Sequence, residues 1–299
     1  MSSVGSGVVA WWRNPWRKPR LLVGITWAYL AWSIIPVLIA IAFSFNAGRS
    51  RSTWQGFSVK WWVGDPELKE SLLYSPELRT AIIQTLRLGL VTTIIAVFLG
   101  TAFAIGLDRW RGRGPGLANF TMLLSFVIPE IIVGVSLFLF FVYFIKGLVH
   151  LGTISELLGL ITFQVSYPVI IVRARLLSIG REYEEASMDL GAPPSESVRR
   201  VLLPLLYPAI FASAVLVFAD TTDDFVTVNY LSGGSSSEPL SVKIYDAARA
   251  APTPAVNAAA TFLLVSTLIV VAVGLLLYRK TSGAGARREG TEEFVKLQI

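Results

Sequence analysis

Cysteine is absent from the 299 residues. That excludes a disulfide framework, a thiolate zinc cluster and a thiol nucleophile. Histidine occurs once, at His150, which suits a solvated loop side chain better than a metal centre. None of the seven lysines follows a glycine, so the chain has no Gly-Lys-Ser/Thr loop to cradle a nucleotide's phosphates. Charge is scarce as well. Asp, Glu, Lys and Arg make up 15% of the chain, against about 25% in ordinary soluble domains. With neither Cys nor a second His, only carboxylate chemistry remains for an enzyme, and the acids show no acid–base partner pattern.

Long apolar runs fill the space that charge leaves. Hydrophobic residues make up 54% of the chain, and about 20 of them in succession span a bilayer as a helix. Six segments qualify: Leu22–Phe45, Ile82–Leu107, Leu117–Ile145, Ile154–Arg173, Leu205–Val228 and Ala258–Tyr278. The fourth is short and carries Glu156 and Gln164. The first is longer than the roughly 7–15 apolar residues of a signal peptide and ends at no clear small-residue cleavage site, so it is expected to be retained. These segments predict an all-α integral membrane protein.

The net charge of +6 gathers at the ends of the apolar runs, which suits an anionic membrane surface better than nucleic acid. Of the 26 Lys and Arg residues, 17 fall on one side and eight on the other, with Arg87 inside the second span. The richer side holds both termini and the loops around Arg111 and Arg181–Arg200. The positive-inside rule therefore places both termini in the cytoplasm, as an even number of spans requires. The expected organisation is a cytoplasmic segment at 1–21, a six-helix domain at 22–280 and a cytoplasmic tail at 281–299. Trp54, Trp61, Trp62 and Tyr74 in the first outer loop suit a membrane–water interface. No internal repeat is visible, which argues against a secondary transporter built from inverted halves.

The loop at about 181–204 has the physics of two short helices around a turn. Glu182, Glu184 and Glu185 occupy a first turn, where the helix dipole favours anions. Gly191 stands where a helix end needs positive φ, and Pro193-Pro194 suits a second helix start. Arg199 and Arg200 fall late in that second helix, and Pro204 is expected to stop it.

This loop resembles the coupling-loop signature of binding-protein-dependent ABC importer permeases. That pattern reads Glu-Ala-Ala, three residues, Gly, nine residues, Ile, one residue, Leu-Pro. Here it becomes Glu185-Ala186-Ser187, then Gly191, Val201 and Leu203-Pro204, with Ser187 and Val201 as conservative departures. The resemblance implies that Glu185, Ala186, Ser187, Asp189, Gly191, Val201, Leu203 and Pro204 form the element that docks on an ATPase. Glu185 would meet a basic group, and Ala186 and Ser187 would permit close approach. It implies a permease with no cofactor of its own, ATP and Mg acting on a separate ATPase chain. The implied partners are a second, homologous permease chain, two ATPase subunits, an extracytoplasmic binding protein and membrane lipid. The implied location is the plasma or inner membrane.

Pro129-Glu130-Ile131-Ile132-Val133-Gly134, Met188-Asp189-Leu190-Gly191-Ala192 and Asp223-Asp224-Phe225-Val226-Thr227 are similar to stretches of the spermidine/putrescine type of these permeases. That implies a polyamine or another small organic cation. A sugar or amino-acid derivative is the alternative solute, and an ATP-independent transporter or channel the remote one. Ionisable residues within a membrane are functional candidates, here Glu130, Asp220, Asp223 and Asp224. Asp220 lies about 18 Å along the fifth span from Pro208. At i, i+3 and i+4, residues 220, 223 and 224 share one helix face.

Overall fold

The computed structural model describes residues 20–50, 53–64, 71–109, 116–117, 120–121, 124, 127–250 and 253–281. Most of the expected N-terminal segment and nearly all of the tail lie outside them. Among the described residues the chain is helical, with one isolated antiparallel bridge between Asn46 and Phe57. The helices are α1 (Arg20–Phe43), α2 (Lys60–Val63), α3 (Pro76–Arg109), α4 (Glu130–Leu139), α5 (Thr153–Gln164), α6 (Ser166–Ile179) and α7 (Glu182–Asp189). They continue as α8 (Pro194–Ser197), α9 (Leu203–Asp223), α10 (Val226–Leu231), α11 (Leu240–Ala250) and α12 (Pro254–Thr281). Among the described residues, five helical stretches are long and apolar enough to cross a membrane: 21–43, 76–109, 153–179, 194–223 and 254–276.

The core is a three-helix bundle of α3, the α5–α6 rod and α9. The α3 sequence dictates it. Ala81, Thr85, Gly89, Thr92, Ala96, Gly100 and Ala104 recur every three or four residues and are all buried. A stripe of small residues lets neighbouring backbones come close, which is how helices associate where lipid offers no hydrophobic drive. A Cβ on Gly100 would lie 2.6 Å from Pro168 Cβ of α6. One on Gly89 would lie 3.0 Å from the Phe218 ring of α9. Near α7 the same three helices bury Ala104, Val172, Leu176 and Leu206 together with Leu202, the residue just before α9. Helix α1 lies apart from this bundle and packs on α12, with Phe43 at its end edge-on to Trp54.

Four sequence expectations shift. The fourth span is longer than expected, because Val165 (φ −55°, ψ −29°) keeps α5 and α6 in one right-handed rod. Pro168 follows this junction and packs against Gly100 of α3. The third span is not one helix. Pro129 is extended at φ −54°, ψ 132°, and α4 starts after it. Pro204 does not stop its helix: α8 runs through a wide π turn at Val198–Leu202 into α9. The wider turn re-registers the backbone where the proline ring would clash with a preceding carbonyl. The fifth span ends at Asp223, not Val228, because Asp224 turns extended at φ −56°, ψ 119°.

The tryptophan-rich first loop folds into a cap. Asn46 accepts from Gln55 N at 2.8 Å, and Trp61 Nε1 donates to Asn46 O at 2.7 Å. Trp62 stacks on Phe45 with ring centroids 5.4 Å apart.

Candidate functional site

Two places carry unusual chemistry. The first is where the breaks at Pro129 and Asp224 meet. Helix α10 packs on α4, and Gly134 admits the α10 backbone, with Thr227 Cα 3.5 Å from the position of a Cβ. Irregular backbone at membrane depth persists only when buried in protein or lining a cavity. Here the freed groups are satisfied locally. Asp224 Oδ1 accepts from Thr227 N at 2.9 Å, and Ser241 Oγ donates to Asp224 O at 2.7 Å.

The same breaks bring acids together. Asp224 is buried, and its carboxyl lies within hydrogen-bonding reach of the Glu130 carboxyl. Thr227 Oγ1 donates to Glu130 Oε1 at 3.3 Å. One turn back on α9, Asp220 Oδ2 accepts from Nε2 of the fully buried Gln164 at 2.8 Å. Tyr167, on the adjoining turn of the α5–α6 rod, lies within electrostatic range of Asp220, Glu130 and Asp224. Three carboxylates, a phenol and a carboxamide therefore face one region. Like charges this close repel strongly where water is scarce, and a cation among them removes that repulsion.

The second place is the elbow formed by α7 and α8. Gly191 has φ +90°, a conformation L side chains rarely adopt, and its N–H donates to Met188 O at 2.8 Å. Pro193 is extended and Pro194 opens α8, so the missing proline N–H leaves no bond unmade. Ser187 Oγ donates to Ser197 Oγ at 2.6 Å and ties the two arms together. The underside is charged. Glu184 pairs with Arg109 at the end of α3, with Arg109 Nε 3.2 Å from Glu184 Oε2. Arg109 also pairs with Asp108, and Arg181 Nη2 donates to Asp108 O at 2.7 Å. The upper face is bare: Glu185, Ala186, Met188 and Asp189 are exposed, and Leu190 is 91% exposed.

A sequence model of the family described as "Binding-protein-dependent transport system inner membrane component" matches residues 96–282. The chain belongs to this family. The permease is 34% identical over 263 residues to the spermidine/putrescine transport system permease protein PotC of Shigella flexneri, covering 88% of this chain and 96% of that protein. It is 32% identical over 263 residues to the putrescine transport system permease protein PotI of Escherichia coli K12, covering 86% and 89%. Among solved structures, a chain of a bacterial alginate ABC transporter aligns with a TM-score of 0.69 at 19% identity, covering 88% of this chain and 95% of that one. A chain of the MetNI methionine ABC transporter aligns with a TM-score of 0.52 at 18% identity, covering 70% and 97%. The permease is thus an all-helical, multi-pass membrane subunit of an ABC importer, and it is not itself the catalytic chain.

Of the residues singled out from sequence, Glu130, Asp220 and Asp224 of the permease gather around Tyr167, while Asp223 is exposed and has no hydrogen bond to them. The shared helix face expected for 220, 223 and 224 does not extend to Asp224, which the break carries instead. In the elbow, Val201 sits in the π turn, Leu203 is half-buried, and Pro204 is exposed. The sequence reading noted Gln164 and Glu184 but gave neither a site role, and it singled out none of Thr227, Arg109 and Tyr167. Gln164 had a signal, being a carboxamide in an apolar run; the other four acquire partners only through the fold.

Proposed function

We propose that the permease forms half of the path of an ATP-driven importer for small organic cations, with polyamines as the favoured class. The observation that carries this is the carboxyl pair Glu130–Asp224, set where two helices break and flanked by Asp220 and Tyr167. Discontinuous helices that present charged groups near mid-membrane are a recurrent way to build a solute site. Relatives that carry spermidine and putrescine in their names support the same choice. The solved neighbours share the fold while serving alginate and methionine, so the fold alone does not select the solute.

Six spans are inferred, the sixth made of α4 and the helical residues before Pro129, with both termini cytoplasmic. The α7–α8 elbow, from Glu185 to Pro204, is the surface for a separate ATPase chain, where ATP and Mg act. Two such ATPases, a second permease chain and a binding protein complete the assembly, the last received by the loops at the far end. The permease's work is to offer two access states that ATP and the loaded binding protein bias.

Uptake of labelled putrescine and spermidine into vesicles holding the full complex tests the cation path. Glu130→Gln and Asp224→Asn should each lower uptake about tenfold, equivalent to roughly 1.4 kcal/mol. Asp223→Asn should change it little. Unaltered uptake in both of the first two variants, or uptake of a neutral sugar by the same complex, removes the cation reading.

A further inference from the structure

Glu156 has no part in the reading above. It lies in the first turn of α5 and is fully buried. Gln84 of α3 holds it: Nε2 donates to Glu156 Oε2 at 2.6 Å and to Thr153 Oγ1 at 2.9 Å. The second carboxyl oxygen lacks a well-formed hydrogen bond. Its other polar neighbours, Ser237 and Glu238, belong to the loop between α10 and α11. Glu238 is already paired with Lys243 of α11, so the nearby cation is engaged on the loop side.

The same joint carries further bonds. Leu231 O accepts from Gly152 N at 3.0 Å and from Ser155 Oγ at 2.8 Å. At the other end of the loop, Leu240 N donates to Thr85 Oγ1 of α3 at 2.8 Å. Gly233 is pressed against the Leu151 carbonyl so closely that no Cβ fits. Residues 231–240 are thus stitched to α3 and to the start of α5. This joint is far from the elbow: from Glu156 to Ile179 the rod runs about 35 Å.

A buried carboxylate is costly unless hydrogen-bonded, and removing it strands the partner it satisfied. Its place here is justified only while Gln84 faces it and the loop residues Ser237 and Glu238 stay beside it. We propose that Glu156 is a positioning residue: it locks the 231–240 loop onto α3 and α5 and so holds shut the end of the bundle opposite the elbow. This rests on the importer reading, in which one end closes while the other opens.

The permease has no cysteine, so a single introduced thiol reports without background in this chain. Val242, 2% exposed in the first turn of α11 just after the loop and packed with Leu88, Leu160 and Val228, is the reporter position. In the purified complex carrying Val242→Cys, the rate of thiol labelling on this chain is read by mass spectrometry. Adding Glu156→Ala should raise that rate about tenfold. Adding Glu156→Gln should restore it to within about twofold, because an amide oxygen still accepts the Gln84 N–H. A second reporter, Val217→Cys in the buried mid-bundle, should keep its rate. If Glu156→Ala does not assemble, Gln84→Leu cuts the same joint from α3 and carries the same expectation. An unchanged Val242→Cys rate, a Glu156→Gln rate as high as that of Glu156→Ala, or a parallel rise at Val217→Cys overturns the lock. Labelling needs no transport. A failed importer reading shows instead as no ATP-dependent uptake by the unmodified complex, and the labelling comparison still decides the lock.

Discussion

Asp224 shows how one residue joins backbone and chemistry. It leaves the α9 helix, caps the next one through Thr227 N, and places its carboxyl beside Glu130. An acid within an apolar run is visible in sequence, which is why Glu130, Asp220 and Asp224 were legible as candidates. That Tyr167 and Gln164 complete the group was not, because their neighbours lie 53 and 56 residues away from them at Asp220 and arrive only by packing. Gly191 is the other residue whose role is dictated by a single angle. At φ +90° a β-branched side chain pays about 1–2 kcal/mol. Gly191→Val should therefore bend the elbow out of shape without disturbing the buried bundle. The expected outcome is near-normal membrane insertion with a clear loss of co-purifying ATPase, measured by pull-down. Full retention of the ATPase would show that the turn plays no part in docking.

At the scale of elements, α3 organises the molecule, and it does so by what it lacks. Its buried face is mostly glycine, alanine and threonine, so α6 and α9 approach to near backbone contact at Gly89 and Gly100. Gly100 and Gly106 separate this packing role from mere helix propensity. A Cβ at Gly100 meets Pro168 at 2.6 Å and Val165 O at 2.9 Å, whereas one at Gly106 meets nothing within 4 Å. Gly100→Ala should destabilise by about 1–3 kcal/mol through overpacking. Gly106→Ala should stabilise by up to about 1 kcal/mol, the helix-propensity gain of alanine over glycine. Thermal unfolding of the detergent-solubilised complex checks both signs, and a common sign would refute the stripe argument. Five of the six expected spans were legible from apolar length alone. Their breaks were not, because a proline is ambiguous: Pro129 opens a helix, Pro168 joins one, and Pro204 is absorbed by a π turn. Which outcome prevails depends on what else satisfies the freed carbonyls, and that is tertiary.

For the molecule as a whole, the proposed ATPase docking raises the question of how a push on the elbow would reach an acid site most of a bilayer away. Two connections are available. One is mechanical and continuous, since α8 runs through the π turn into α9, whose far end carries Asp220 and the break at Asp224. The other is electrostatic. Arg109, the last residue of α3, is held by Glu184 on the elbow's underside and by Asp108 on its own helix, and Arg181 binds the Asp108 carbonyl. Through it the elbow grips the helix that supports both α6 and α9. The two connections make different demands. On the proposed reading, a docked ATPase would meet the exposed side of the elbow, which includes Glu185 to Leu190, whereas transmission to the bundle would run through Glu184 and Arg109 below. Arg109→Ala should leave ATPase binding intact, because no upper-face residue is touched. It should lower the number of cations imported per ATP hydrolysed several-fold, because the elbow then moves without α3. Parallel measurement of ATP hydrolysis and uptake in proteoliposomes separates the two. An equal fall in both would place Arg109 in assembly, and no fall in either would leave α9 as the sole lever.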